Sequence, residues 1–356
     1  MHILFLNSAR RWGGNEKWSL MAAAALAGEN RVTVAWRAPE IGERIPGAVG
    51  SMCLPFVSEA DMVTLWRLYR FVKREKVHVI VSTKRKDYVT GALLHLLTGA
   101  AHFVRLGIVR PIGNNAVNRF IFKKHCVGFI VNAPQIKEVL LRGGFLEPER
   151  VHVIFNGLDF KELEQAAKTP VEKPFPVMLA ASGLLIARKG FDILLAGFKA
   201  WMDEGGEKPA GLWILGDGPE ADRLREQVRE YGLERRVVFC GYQTNPYAYY
   251  AGADIFVLLS GNEGISNALL EAMYLKCAVI TTAAGGAEQV ITNGEEGLLI
   301  TRAQRSLHQA LKKLYDRPAL RDKLGQRARR KVEDMFSMTR MRNELTRIFR
   351  EVSGGG

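Results

Sequence analysis

Short apolar runs rich in β-branched residues alternate with longer stretches of helical period along most of the chain, which is the pattern of parallel βα units. In the first half the runs are His2 to Asn7, Val32 to Trp36, Val77 to Ser82, Phe103 to Leu106, Gly128 to Val131 and Val151 to Phe155. A second set follows: Val177 to Ala181, Leu212 to Leu215, Val237 to Cys240, Ile255 to Leu259, Ala278 to Thr281 and Leu298 to Ile300. Between the sets, Pro170, Pro174 and Pro176 forbid continuous helix or strand and suit an interdomain connection. The pattern predicts an α/β chain of two Rossmann-like parallel-sheet domains, residues 1–170 and 171–335. A last segment, 336–356, is expected to supply a helix that crosses back to the first domain, followed by a tail. Open parallel sheets hold ligands beyond the carboxyl ends of their strands, so the expected site is shared across a cleft between the domains.

The length, 356 residues, agrees with two domains that each bury a core. With 47% apolar and 24% charged residues, the composition excludes long disorder, collagen-like sequence and coiled coil. No run approaches the roughly 20 apolar residues of a membrane span. Arg10 and Arg11 follow the apolar opening instead of preceding it, the reverse of a secretory leader, so Met1 to Asn7 reads as a first strand. Cys53, Cys126, Cys240 and Cys277 lack the paired spacing of a zinc site and read as reduced thiols. The net charge of +13 matters once divided: residues 1–170 hold 24 Lys and Arg against 14 Asp and Glu, and the remainder 26 against 23. A basic first domain attracts nucleic acid or anionic lipid, and charge alone does not choose between them.

Two segments join strand to helix through glycine. After the first run, Gly13 and Gly14 precede a helix-period stretch and would let backbone N–H groups approach an anion, although a plain tight turn reads equally well. The full G-x-G-x-x-G spacing is absent, which disfavours a nicotinamide dinucleotide fold. After Ile255 to Leu259 comes Ser260-Gly-Asn-Glu263-Gly264-Ile265-Ser266-Asn267-Ala-Leu-Leu-Glu271, which opens another helix. Gly264 to Asn267 can offer N–H groups to a phosphate, and Glu263 and Glu271 lie about two turns apart if the segment is helical. The plainer alternative is a helix start with one carboxylate favoured by the dipole and the other solvated.

At these residues the sequence resembles glycosyltransferase family 4, of the GT-B fold, whose members carry a Glu, seven residues, Glu motif in this setting. Further motifs of that family occur in order: Asn156-Gly157-Leu158-Asp159, Lys189-Gly190-Phe191-Asp192, Gly216-Asp217-Gly218-Pro219 and Gly285-Gly286-Ala287-Glu288. The resemblance implies a retaining enzyme that works without metal and takes a nucleoside diphosphate sugar as co-substrate, with no further cofactor. It implies that Glu271 holds the nucleotide ribose, Glu263 the hydroxyls of the transferred sugar, and Lys189 with Arg188 the diphosphate; Gly183, Gly216 and Gly218 join the donor site with Gly13, Gly14, Gly264, Ile265, Ser266 and Asn267. The chemistry agrees: a departing diphosphate accumulates negative charge that a metal or fixed cations must neutralise. Arg188-Lys189 stands before a helix-period segment, and no Asp-x-Asp pair or His/Asp/Glu cluster with ligand spacing accompanies it.

The chain departs from the family at named positions. Gly183-Leu184-Leu185 replaces the usual Gly-Arg-Leu, and Arg188 is the candidate substitute. Where a first-domain histidine is usual, Arg105 and Arg110 occur, and His102 has the wrong strand parity if Arg105 faces the site. Glu16, Arg105 and Arg110 are therefore the acceptor-side candidates. The tyrosines Tyr242, Tyr247, Tyr249 and Tyr250 read as packing before a base-binding wall.

Ala60 to Lys76 interleaves Met62, Leu65, Trp66, Tyr69 and Val72 with Arg67, Arg70, Lys73, Arg74 and Lys76, a pattern that suits an anionic leaflet as well as a core helix with a basic outer face. Asn118 to His125 is a second such segment. Nucleic acid is disfavoured, because there is no zinc-finger spacing and no aromatic RNA-binding signature. The expected function is transfer of a sugar to a saccharide or lipid-linked glycan of lipopolysaccharide or another cell-envelope polysaccharide, at the cytoplasmic face of the inner membrane. A nucleotide-sugar epimerase and a non-catalytic, basic membrane-binding scaffold are the alternatives.

Overall fold

The computed structural model describes residues 1–205, 208–261, 264–283 and 286–353. Strands β1 (His2–Asn7), β2 (Arg31–Trp36), β3 (Gly50–Cys53), β4 (Val79–Ser82), β5 (Ala101–Leu106), β6 (Gly128–Val131) and β7 (Val151–Val153) form one sheet in the order β3-β2-β1-β4-β5-β6-β7. Every pairing in it is parallel. Strands β1, β4 and β6 are buried at every residue, which is why they read as unbroken apolar runs and not as alternation. Strand β3 answers to no run marked in the sequence. It is a short edge strand, largely exposed, so nothing required its residues to be apolar.

The second sheet is built from β8 (Val177–Ser182), β9 (Ala210–Leu215), β10 (Val237–Gly241), β11 (Ile255–Leu258), β12 (Ala278–Thr282) and β13 (Gly297–Ile300), in the order β10-β9-β8-β11-β12-β13. It too is wholly parallel. Both sheets reverse their direction of growth once, between β1 and β4 in the first and between β8 and β11 in the second. Those reversals open the crevices in which such sheets hold ligands. The expected α/β class with two parallel-sheet domains is what the chain forms.

The domain limits differ from those expected. The chain divides into Met1–Gly157 with Met338–Gly356, and Leu158–Ser337. The boundary falls at residue 157, not near 170, because the segment around the prolines is tied to the second unit. Phe160 stacks on Tyr274 with ring centroids 4.4 Å apart, and the Tyr274 hydroxyl donates to Glu164 Oε1 at 2.8 Å. Val171 N–H donates to the Ala248 carbonyl, and Lys173 pairs with Asp254 at 3.0 Å. Prolines here stop secondary structure without ending a domain.

The last helix, Met338–Ser353, packs in the first unit. Met341, Leu345, Ile348 and Phe349 recur at helical spacing and enter the core that holds Phe5, Trp18 and Phe103, with Phe349 edge-on to Phe103 at 5.0 Å. Helix Gly14–Ala27, apolar on most sides, belongs to the same core through Trp18, Ala22, Ala23 and Leu26. The second unit's core centres on Phe198, Trp201, Leu212, Ile214 and Leu311.

Candidate active site

In the second unit, the chain leaves β8 at Gly183, makes a 3-10 turn over Ala187–Lys189 and enters helix Phe191–Asp203. The Lys189 side chain folds back across Gly183: a β-carbon there would stand 3.6 Å from the Lys189 ammonium. Arg188 is exposed beside it, and Leu184, at the place of the missing family arginine, is exposed and apolar. Gly190 has φ +71°, and a β-carbon on it would come within 2.6 Å of the Leu259 carbonyl, so only glycine lets this turn pass beneath the end of β11. Two further ties hold the turn. Gly261 N–H donates to the Arg188 carbonyl at 2.9 Å, and Arg302 donates from Nη2 to the Ala187 carbonyl at 2.8 Å and from Nε to the Leu259 carbonyl at 3.0 Å. Nothing in the sequence marked Arg302, which lies far along the chain, just past β13.

Gly216 and Gly218, expected at the donor, have a nearer task. The loop after β9 lies against the loop after β8: Gly183 N–H donates to the Leu215 carbonyl and Leu185 N–H to the Asp217 carbonyl, both at 2.9 Å. A β-carbon on Gly216 would stand 2.0 Å from the Gly183 carbonyl, and one on Gly218 2.5 Å from that of Leu185. These glycines shape the cradle that Lys189 crosses.

Beyond β11, helix Asn267–Tyr274 begins after Ser266, whose side chain makes no capping bond, so the first-turn N–H groups are not capped by it. The Ile265 side chain is buried and sits against Gly286. Glu271 is buried on this helix. Near it, the Tyr250 and Ser182 hydroxyls share a hydrogen bond of 2.5 Å, and burial, reinforced by the Glu271 charge, pushes the Tyr250 phenol well above its ordinary range. Tyr247 and Tyr250 are thus core residues and Tyr249 packs edge-on to Trp213, while Tyr242 is half exposed. Glu263, with Gly285 of the second glycine pair, lies outside the described residues. Among the described residues no three His, Cys, Asp or Glu side chains are grouped so as to hold a metal ion.

The first unit carries a cluster of its own at the carboxyl ends of β1, β4 and β5. Gly13 is extended, and a β-carbon on it would stand 3.0 Å from Glu16 Oε2, whereas one on Gly14 would meet nothing within 4 Å, so crowding does not require glycine at position 14. The open space in front of Gly14 leaves the start of helix Gly14–Ala27 approachable. Glu16, buried in its first turn, pairs with Lys84 Nζ at 2.7 Å. Arg105 is also buried. Its guanidinium lies over the Trp18 ring at 4.7 Å and donates to the Asn15 side chain and, at 3.4 Å, to Asn156 Oδ1. Burial lowers its pKa to about 10, against the pull of Tyr88 and Glu16. Arg110 stands apart, exposed on the following loop. His102 is fully buried, its ring between Ser82 Oγ at 2.9 Å and the His125 carbonyl at 2.8 Å, and takes no part in the cluster. Sequence alone brought Glu16 and Arg105 forward but missed Lys84, Asn15 and Trp18, whose roles depend on strand order.

Residues 159–331 match the family model of glycosyl transferases group 1. Among relatives, the chain is 29% identical over 189 residues to the lipopolysaccharide core biosynthesis glycosyltransferase LpsD of Rhizobium meliloti, covering 52% of this chain and 53% of that one. It is 26% identical over 274 residues to LpsE of the same organism, a protein of the same description, covering 76% and 75%. The alignment to the first spans about half of that relative's length. The crystal structure of Anabaena HepE in complex with UDP and glucose superposes with a TM-score of 0.84 at 17% identity, over 99% of this chain and 100% of that one. The two parallel sheets, their switch points and these likenesses make the architecture that of GT-B glycosyltransferase structures, and residues 159–331 are similar to the glycosyl transferases group 1 model.

Proposed function

We propose that the chain is a retaining glycosyltransferase of family 4 that moves a sugar from a nucleoside diphosphate sugar to a glycan or lipid-linked glycan in cell-envelope polysaccharide synthesis. The observation that carries this reading is the Lys189 ammonium laid across Gly183 at the second sheet's switch point, with Glu271 buried on the helix that follows β11. Lys189 and Arg188 supply the positive charge that a departing diphosphate requires, and the start of helix Asn267–Tyr274, at Ser266 and Asn267, adds its positive dipole end. Fixed cations in this place support a reaction without a metal ion. Glu271 takes the ribose and Glu263 the sugar hydroxyls. The acceptor attacks on the face the diphosphate leaves, and a donor phosphate oxygen takes its proton. UDP is the first nucleotide to test, since the Anabaena neighbour was solved with it.

The acceptor side is assigned to the first unit. Glu16 and Arg105, held beside the start of helix Gly14–Ala27 by Lys84 and Asn15, are its candidates, and a lipid-linked acceptor accounts for the surface that unit presents. In helix Met62–Arg74, Leu65, Leu68 and Val72 face the core, whereas Met62, Val63 and Trp66 are 68%, 54% and 55% exposed. Arg70 lies over Trp66 at 4.9 Å, and Arg67, Lys73 and Arg74 are exposed on the same helix. Exposed apolar side chains among cations suit the headgroup region of an anionic leaflet, here the cytoplasmic face of the inner membrane. The second basic segment supports this less, because Ile121 and Phe122 are buried and only Phe120 is partly exposed. No described helix is long and apolar enough to cross a membrane.

The test is a thermal-shift panel of UDP, GDP, ADP, CMP and their sugars, with EDTA or magnesium, followed by a transfer assay on extracted glycolipid. Selective stabilisation that survives EDTA and disappears in Glu271→Ala is expected. Lys189→Ala should lower transfer by about 100- to 1000-fold, the cost of removing one preorganised charge from a leaving-group site. Full activity in that variant overturns the reading; donor conversion without acceptor would make the chain an epimerase, and vesicle binding with no nucleotide response a scaffold.

A further inference from the structure

We infer that Arg302 is a positioning residue for the diphosphate site: it clamps the Lys189 turn to the end of β11 and so sets where the Lys189 ammonium stands. This rests on the donor-site reading above. The Ala187–Lys189 turn is one 3-10 turn long and has little packing to fix it; Ala187 and Arg188 are exposed and Lys189 half-buried. A flexible lysine at the end of such a turn would be a poorly placed charge, and charge placement is what stabilises a leaving group. Arg302 answers this with the planar fork that only arginine offers. Nη2 takes the Ala187 carbonyl at 2.8 Å and Nε the Leu259 carbonyl at 3.0 Å, so one rigid group joins the loop after β8 to the loop after β11.

The surroundings fit a clamp. A β-carbon on Gly190 would lie 3.3 Å from Arg302 Nη2, and one on Gly261 3.7 Å from Arg302 Nε, so glycines flank the guanidinium on both loops. Gly261 N–H donates to the Arg188 carbonyl, closing the same junction from the other side. This chain has Leu184 where a second cation is expected by resemblance, so more of the leaving-group charge rests on the Arg188-Lys189 turn. Holding that turn is correspondingly important.

A clamp acting on Lys189 must change recognition of phosphate and not of base. The experiment compares wild type, Arg302→Ala and Arg302→Lys by calorimetric titration with whichever of UDP, GDP or ADP the wild type binds and with the matching nucleoside, alongside hydrogen exchange at Lys189, Gly190 and Gly261. In Arg302→Ala, diphosphate affinity should fall by about 10-fold or more, as expected when a charged contact is misplaced by about an ångström, with nucleoside affinity held within 2-fold. Exchange at the three amides should accelerate, and Arg302→Lys, one ammonium for two carbonyls, should fall between. Equal losses for diphosphate and nucleoside, or a lowered melting temperature with both affinities kept, reduce Arg302 to a stabilising residue and overturn the inference. A wild type that binds no nucleoside diphosphate overturns the donor-site reading with it; faster exchange in Arg302→Ala would then show a clamp with no phosphate to serve.

Discussion

The first unit holds 26 Lys and Arg against 13 Asp and Glu, and the second holds 24 against 24, so the whole net charge of +13 belongs to one unit. The exposed large apolar residues divide similarly: Val57, Met62, Val63, Trp66, Leu96, Leu97, Ile108, Val117, Phe120 and Val352 lie in the first unit, and Leu184, Val238 and Tyr242 in the second. Balanced charge with a few cations gathered at one strand-end crevice suits a small anion, whose recognition is local. Unbalanced charge together with exposed apolar groups suits an extended anionic surface, whose attraction adds over many groups. The contrast is sharper than a cut at residue 170 made it, because the returning helix, with Arg340, Arg342, Arg347 and Arg350 against Glu344 and Glu351, counts with the first unit.

The most severe way to break the contrast is to reverse charge on helix Met62–Arg74. Substituting Arg67, Arg70 and Lys73 by Glu removes three positive charges and adds three negative ones, taking the first unit from +13 to +7. At about 1 kcal/mol for each basic residue near an anionic leaflet, binding to phosphatidylglycerol vesicles should weaken by at least about 100-fold. Nucleotide affinity, which the proposed function assigns to the other unit, should not change. Co-sedimentation and calorimetry on the same variant decide this, and equal vesicle binding by wild type and variant would remove the membrane from the picture.

A change confined to the neutral unit should do the opposite. Gly216 has φ +138°, and a β-carbon there would collide with the Gly183 carbonyl at 2.0 Å, which no side-chain motion relieves. Gly216→Ala should cost about 3 kcal/mol from backbone strain and loop displacement. Nucleotide binding should weaken with it while vesicle binding stays as in the wild type, readable from denaturant melts and the two binding assays.

Much of this was legible in the sequence, and the rest failed for identifiable reasons. Twelve apolar runs became strands, and the inner ones were the most legible because parallel strands covered on both faces must be apolar throughout. Edge strand β3 bears no such demand and left no trace. The proline-rich segment misled because chain stiffness reports where regular structure stops, whereas Phe160 on Tyr274 decides which core a segment joins. At the site, Lys189, Gly190 and Glu271 came forward because short stretches of neighbouring residues resemble the motifs of a known family. Arg302 and the Glu16–Lys84 pair came from the order in which distant strands are laid side by side, which no local pattern encodes.

The smallest expected effect is a cancellation inside the first unit, and it sharpens the comparison because the two buried groups behind it both belong to that unit. Burial raises the pKa of Asp87 to about 6 despite its bonds from the Ser8 and Lys84 amides, and burial lowers that of His102 to about 4 despite its bond to the His125 carbonyl. The two are joined through Ser82, whose hydroxyl donates to the Asp87 carbonyl and lies 2.9 Å from the His102 ring. For His102 the fold keeps the neutral ring, so its contribution is complete above the ordinary histidine pKa of about 6.5 and is lost as pH falls toward 4. For Asp87 the fold favours the protonated acid, so its contribution is complete below the ordinary 3.8 and is lost as pH rises through about 6. Each shift of about two pKa units corresponds to about 3 kcal/mol, with opposite signs over the same window, so together they leave a slope near zero between pH 6 and pH 4. His102→Gln removes one arm: relative to wild type, its stability should rise by about 3 kcal/mol as pH is lowered from 6.5 to 4, and that of Asp87→Asn should fall by a similar amount. Urea melts of the three full-length proteins at pH 6.5, 5 and 4 measure the differences directly, and parallel pH profiles for all three would show that neither group carries its shifted titration in the fold.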